Sequence, residues 1–135
     1  MATPQLPTPS GTVQAECGCD LVAEWSAFAY RLRDFECRVT SLAESESTAA
    51  EPCSGSAVAV PTLNRVECIL DNDSDFSLAS SQVYKLAEEG WDVWAVVPVA
   101  RVGEAHLAFV GNAEFIQGWW PRPDGEISFT APEVP

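Results

Sequence analysis

"NRVECILDNDSDFSLASSQVYKLAEEGWDVWAVVPVARVGEAHLAFVGNAEFIQGWW" (residues 64–120) decides the fold, because its hydrophobic period switches repeatedly. "NRVECILDN" (64–72) is apolar and rich in β-branched residues, so it reads as a strand. "SDFSLASSQVYKLAEEG" (74–90) then places Phe76, Ala79, Val83 and Leu86 at helical spacing. Ser74 or Asp75 is placed to cap that helix and Gly90 to stop it. "WDVWAVVPV" (91–99) is nearly all apolar, as expected of a strand covered on both faces. "VGEAHLAFVG" (102–111) is a short helix between glycines, and "AEFIQGWW" (113–120) is a further strand. Strands alternating with helices imply a parallel core.

Working outward, "SAVAV" (56–60) is a strand ended by Pro61, and "EISFT" near the C-terminus is an edge strand at most. Leu21, Trp25, Phe28, Leu32, Phe35, Val39 and Leu42 alternate at spacings of four and three, which predicts one long helix capped by Asp20. Its aromatic content favours docking on a sheet over pairing with a second helix. "ESESTAAEPCSGS" (44–56) is a polar loop, and residues 1–16 read as a flexible arm. The expectation is therefore an arm (1–16) and one compact α/β domain (17–135). The domain is expected to hold a mixed sheet of four to five strands, in the order α-β-β-α-β-α-β, with helices on its faces.

Charge narrows the function. Seven basic residues face twenty acidic ones among 135, for a net of −13. Nucleic acids and anionic membranes need a basic face, so neither is an expected partner. A basic protein partner or a solvated acidic surface suits the balance. No apolar run is long enough to span a bilayer, and "MATPQLPTPSGTVQAE" does not read as a secretory signal, so a cytoplasmic location is expected. Among Cys17, Cys19, Cys37, Cys53 and Cys68 only "CGC" is a close pair, which does not match the two knuckles of structural zinc. Cys37 and Cys68 stand among apolar residues and read as buried small hydrophobes.

Two constellations could carry chemistry. In "ILDNDSDF", Asp71, Asp73 and Asp75 lie where a strand gives way to a helix. The carboxyl ends of strands are where open α/β sheets bind ligands, and clustered carboxylates suit Mg²⁺. The same residues also serve simply to cap the helix. Asp-x-Asp after an apolar strand resembles the first motif of haloacid-dehalogenase-type phosphatases, which would make Asp71 a nucleophile and Asp73 a general acid. The family's downstream lysine and acidic pair are not found.

The second constellation is topological. Helix, two strands, helix and strand resemble the core of PD-(D/E)XK nucleases, with Glu67-Cys68-Ile69 on the strand before the second helix and the likeness spanning residues 57–99. That family carries Glu-x-Lys here. Ile69 stands in place of the lysine, and "SAVAVPT" offers no aspartate. The resemblance thus implies a degenerate member that kept the fold without the chemistry.

"VPVARVGEA" contains no phosphate-cradling glycine motif. His106, the single histidine, has no neighbouring nucleophile motif. Trp119 and Trp120 are adjacent on a strand and so point to opposite faces. One of them is a candidate partner anchor, alongside Trp25 and Phe28.

The expected function is a non-catalytic acidic interaction or accessory module, without a cofactor, binding a protein partner or a second copy of itself as a homo-oligomer. The alternative is an Mg²⁺-dependent phosphoryl or phosphodiester hydrolase using Asp71, Asp73 and Glu67 or Asp75. The rim of the sheet is expected to lack the cationic groups that phosphate capture requires.

Overall fold

The computed structural model describes residues 18–42 and 55–135. The arm 1–16, most of the loop 44–56, Cys17 and Cys53 lie outside the described residues. Helix α1 (Cys19–Leu32) comes first, followed by strands β1 (Arg38–Ser41), β2 (Ser56–Val60) and β3 (Arg65–Ile69). Then come α2 (Phe76–Glu88), β4 (Asp92–Pro98), α3 (Val102–Phe109), β5 (Phe115–Pro121) and β6 (Ile127–Phe129). The sheet has six strands in sequential order, one or two more than expected. β3, β4 and β5 run parallel, and the remaining neighbours are antiparallel. Among the described residues no helix is long and apolar enough to cross a membrane.

The two parallel crossovers explain the layering. α2 and α3 each carry the chain from one parallel strand to the next in the same direction, so crossovers of one hand set both on one face. Phe76, Ala79 and Val83 of α2 pack there with Ala105 and Phe109 of α3, over Val66, Cys68, Val93, Ala95, Val97 and Ile116. The Ser80 hydroxyl donates to the Ala108 carbonyl at 3.2 Å and ties the two helices together. α1 covers the opposite face, with Val22, Ala23 and Ala27 over Val58, Val60, Ile69 and Val96. β4 therefore buries both of its faces, as its apolar run implies.

The long stripe predicted from Leu21 to Leu42 is not one helix. α1 ends at Leu32, where the amides of Arg33 and Phe35 both reach the Tyr30 carbonyl and Asp34 turns left-handed at φ 67°. The chain then changes period. Phe35, Cys37 and Val39 pack inward while Glu36, Arg38 and Thr40 are exposed, which makes β1 a strand at the sheet edge. Nor is the stripe the buried face of α1. Cys19, Val22, Ala23, Ser26, Ala27 and Tyr30 are buried, whereas Leu21 and Leu32 are exposed. Small residues win that face because they let the helix approach the sheet closely. The cap also differs: Gly18 holds the cap position, and Asp20 lies in the first turn, where it favours the positive helix end and accepts from the Ser56 hydroxyl at 3.0 Å.

Two glycines stand where a Cβ would be crowded. A Cβ on Gly118 would meet the Val99 Cα at 3.2 Å and Val102 Cγ2 at 3.0 Å, so the turn into α3 packs directly on the β5 backbone. Gly55 has φ +117°, and a Cβ there would lie 2.8 Å from the Ile69 carbonyl oxygen.

Candidate functional site

The carboxyl end of β3 carries the aspartate cluster. Asp71 is buried, and its carboxylate is surrounded by backbone donors and a hydroxyl. Oδ1 accepts the Asp73 amide at 2.9 Å and the Ser74 hydroxyl at 3.5 Å, while Oδ2 accepts the Gly18 amide at 3.1 Å. The Asp71 amide in turn donates to Ser74 Oγ at 3.0 Å. Asp71 thus closes its own turn and anchors the start of α1. Asp75 caps α2, accepting the Ser77 amide at 2.9 Å and the Leu78 amide at 3.3 Å. Asp73 is exposed on the turn. Among the described residues, no group of three or more His, Cys, Asp and Glu is placed to hold a metal ion.

Arg101 departs from the expectation that this rim has no cation. Its Nη1 donates to the carbonyls of Asp71, Asn72 and Ser74 at 3.1, 3.2 and 2.9 Å. Nε and Nη2 form a two-point pair with Glu104, and the guanidinium lies 3.7 Å from the Phe76 ring centroid. The Glu104 carboxylate raises the Arg101 pKa further above its ordinary value, and the guanidinium holds the Glu104 carboxyl below its usual range. The arginine braces the turn through backbone oxygens, an arrangement sequence spacing does not reveal.

Glu67 occupies the middle of β3, on the α1 face. It is 5% exposed. Ser26 Oγ donates to Oε1 at 2.6 Å and the Tyr30 hydroxyl to Oε2 at 2.5 Å, both from α1. Arg65 Nη1 donates to the Tyr30 oxygen at 2.9 Å, so a cation closes the chain of hydrogen bonds. Arg65 also stacks on Trp94, 4.2 Å from its centroid, and Trp94 lies against Phe115 with centroids 4.9 Å apart. Val58 and Trp94 are the register neighbours of Glu67 on either side. Ile69, the next residue on that face, lies opposite Ser56, and both are buried. Ser26, Tyr30 and Arg65 were not among the sequence candidates. The signal was there in the acid at a core position of β3, which needs donors from whatever helix covers it.

The network and the neighbouring thiol predict a fall in stability at high pH. Burial raises the Cys68 thiol from its ordinary 9.0 to about 12, and the Glu67 charge adds to the rise. Burial, then the Glu67 charge and hydrogen bond, raise the Tyr30 phenol well above its ordinary range. Both groups hold their protons more tightly in the fold than in the unfolded chain. Their contribution is complete below the thiol's ordinary 9.0 and is lost as pH rises through the folded values. The urea midpoint is expected to fall progressively above that pH, and Tyr30→Phe to fall less steeply.

The remaining sequence candidates are scattered. Trp119 is buried, and its indole donates to the Leu70 carbonyl at 2.9 Å. Trp120, on the other face, is 38% exposed. Trp25 and Phe28 are half-buried on α1. Cys68 is buried as expected. Cys37 is only half-buried, with its thiol facing the Ala27 carbonyl at 3.6 Å and raised mainly by burial. His106 Nε2 lies 2.8 Å from Glu133, whose backbone pairs with Ile116 and folds the C-terminal segment along β5.

No protein-family model, curated protein or solved structure matches the chain.

Proposed function

We propose that the chain is a non-catalytic acidic module that binds a protein partner. The observation that carries this reading is the use made of Glu67. Both of its oxygens accept hydroxyl protons from α1 inside the core. A hydrolytic carboxylate must reach a metal ion or a water molecule. The flanking positions that the nuclease-like resemblance would fill with aspartate and lysine hold Val58, Ser56 and Ile69, all buried. Asp71 is engaged by the amides of its own turn and of Gly18, which supports the same reading. A net charge of −13 suits a basic partner.

The test is thermal unfolding in millimolar Mg²⁺ or Mn²⁺. An ion that binds only the native state raises Tm. No rise is expected for the parent chain. A rise that Asp71→Asn abolishes would contradict this reading and favour the hydrolase one.

A further inference from the structure

We infer that the outer face of α1, carrying Leu21, Trp25, Phe28 and Leu32, packs antiparallel against the same face of a second copy of the chain and makes a two-fold homodimer. The partner is the chain itself, so the inference goes beyond the interaction-module reading and does not depend on it.

The four residues belong to one helix, at spacings of four, three and four. At the α-helical repeat they share an arc of about 60° and form one continuous stripe. The buried residues Cys19, Val22, Ala23, Ser26, Ala27 and Tyr30 centre on the opposite side, against the sheet. The stripe therefore points away from its own sheet. Leu21 and Leu32 are 37% and 70% exposed, and Trp25 and Phe28 between them are half-buried. Four, three, four is the spacing at which two helices lie side by side.

Charge selects the occupant and its direction. Glu24 and Arg31 are seven residues apart and flank the stripe on the same side. Among the described residues neither is in an ion pair, and the Arg31 guanidinium reaches the Cys37 carbonyl only at 3.5 Å. The asymmetry extends along the helix. Arg31, Arg33 and Arg38 are three of the chain's seven basic residues, all exposed at or beyond the end of α1. Asp34 and Glu36 still leave that end net positive. The first turns of α1 carry Asp20 and Glu24 and no base. An antiparallel second copy answers both ends at once. Leu21 then meets Leu32, Trp25 meets Phe28, and Glu24 stands beside Arg31, each contact occurring twice by symmetry. A parallel copy would set acid beside acid and align the two helix dipoles. The Debye length at physiological ionic strength is about 8 Å, so repulsion between the acidic remainders of the two copies is screened far more than contacts across the seam.

Sedimentation equilibrium of the full chain at physiological ionic strength, from about 1 µM to about 1 mM, is the test. A monomer–dimer equilibrium is expected. Leu21→Ser combined with Leu32→Ser is expected to weaken it at least about tenfold. Both side chains are exposed, and circular dichroism checks that each variant keeps its fold. Leu107→Ser, on α3 and 82% exposed, is expected to leave the equilibrium unchanged. Glu24→Arg alone and Arg31→Glu alone are each expected to weaken self-association, because each sets like charges together twice. An equimolar mixture of these two variants is expected to restore it, because one then supplies two bases opposite the two acids of the other. A monomer at every concentration would overturn the proposal. So would a dimer that the paired leucine variant leaves intact, or a mixture that fails to restore association. None of these outcomes moves the metal titration, so the non-catalytic reading is tested separately.

Discussion

Replacing Glu67 by alanine is expected to lower folding stability by about 3–5 kcal/mol, read as a shift in the urea midpoint at constant slope. The estimate follows from what the substitution leaves behind. Ser26 and Tyr30 lose their acceptor inside the core, and Arg65 loses the anion at the far end of the Tyr30 hydroxyl. Orphaned buried donors cost about 1–3 kcal/mol each. Glu67→Gln keeps the shape and one acceptor oxygen but sets an amide donor against a hydroxyl. It is expected to lose about 1–3 kcal/mol. If Glu67 were a working catalytic carboxylate rather than a structural one, the substitution would leave stability nearly unchanged or raise it, since catalytic groups are held at a cost in stability.

Phe109→Ala is the second large effect, expected to lower stability by about 3–5 kcal/mol. Phe109 is fully buried at the end of α3 and meets Phe76 of α2 with ring centroids 5.3 Å apart. The Phe76 ring also carries the Arg101 guanidinium. Removing the Phe109 ring therefore opens a void beneath both crossover helices and loosens the ring that supports the Asp71 turn. Calorimetric unfolding checks the loss. Equal stability of the variant would mean that α3 is not part of the core.

The crossover half and the strand at 56–60 were legible in the sequence, and the stretch from Leu21 to Leu42 was not, for a physical reason. From residue 64 onward each element has a single dominant period and a recognisable stop: Asp75 before α2, Gly90 after it, and the unbroken apolar run of β4. Between Leu21 and Leu42 two periods overlap. Phe35, Val39 and Leu42 fit a heptad continued from α1, yet Phe35, Cys37 and Val39 also alternate as a strand. The left-handed turn at Asp34, a non-glycine residue, hid the boundary. The inner face of α1 was obscured by its chemistry, because Ser26 and Tyr30 face inward to satisfy Glu67 while Leu21 and Leu32 face solvent. Amphipathic reading assigns the polar residues to water, and a buried acid on the facing strand reverses that assignment. The aspartate cluster was located from its place at the strand end. Its use as a turn depended on Gly18 and Arg101, which are distant in sequence.

The central claim is that Glu67 is a structural acceptor bound to Tyr30, and a double-mutant cycle of Glu67→Gln and Tyr30→Phe tests it most directly. Residues in one hydrogen-bonded network couple by about 0.5–3 kcal/mol. The two losses in urea-measured stability are predicted to fall short of additivity by more than about 1 kcal/mol, because either substitution alone already breaks the shared bond. Strict additivity would mean that the carboxylate and the phenol do not hold each other, and would leave Glu67 available for the chemistry denied to it here.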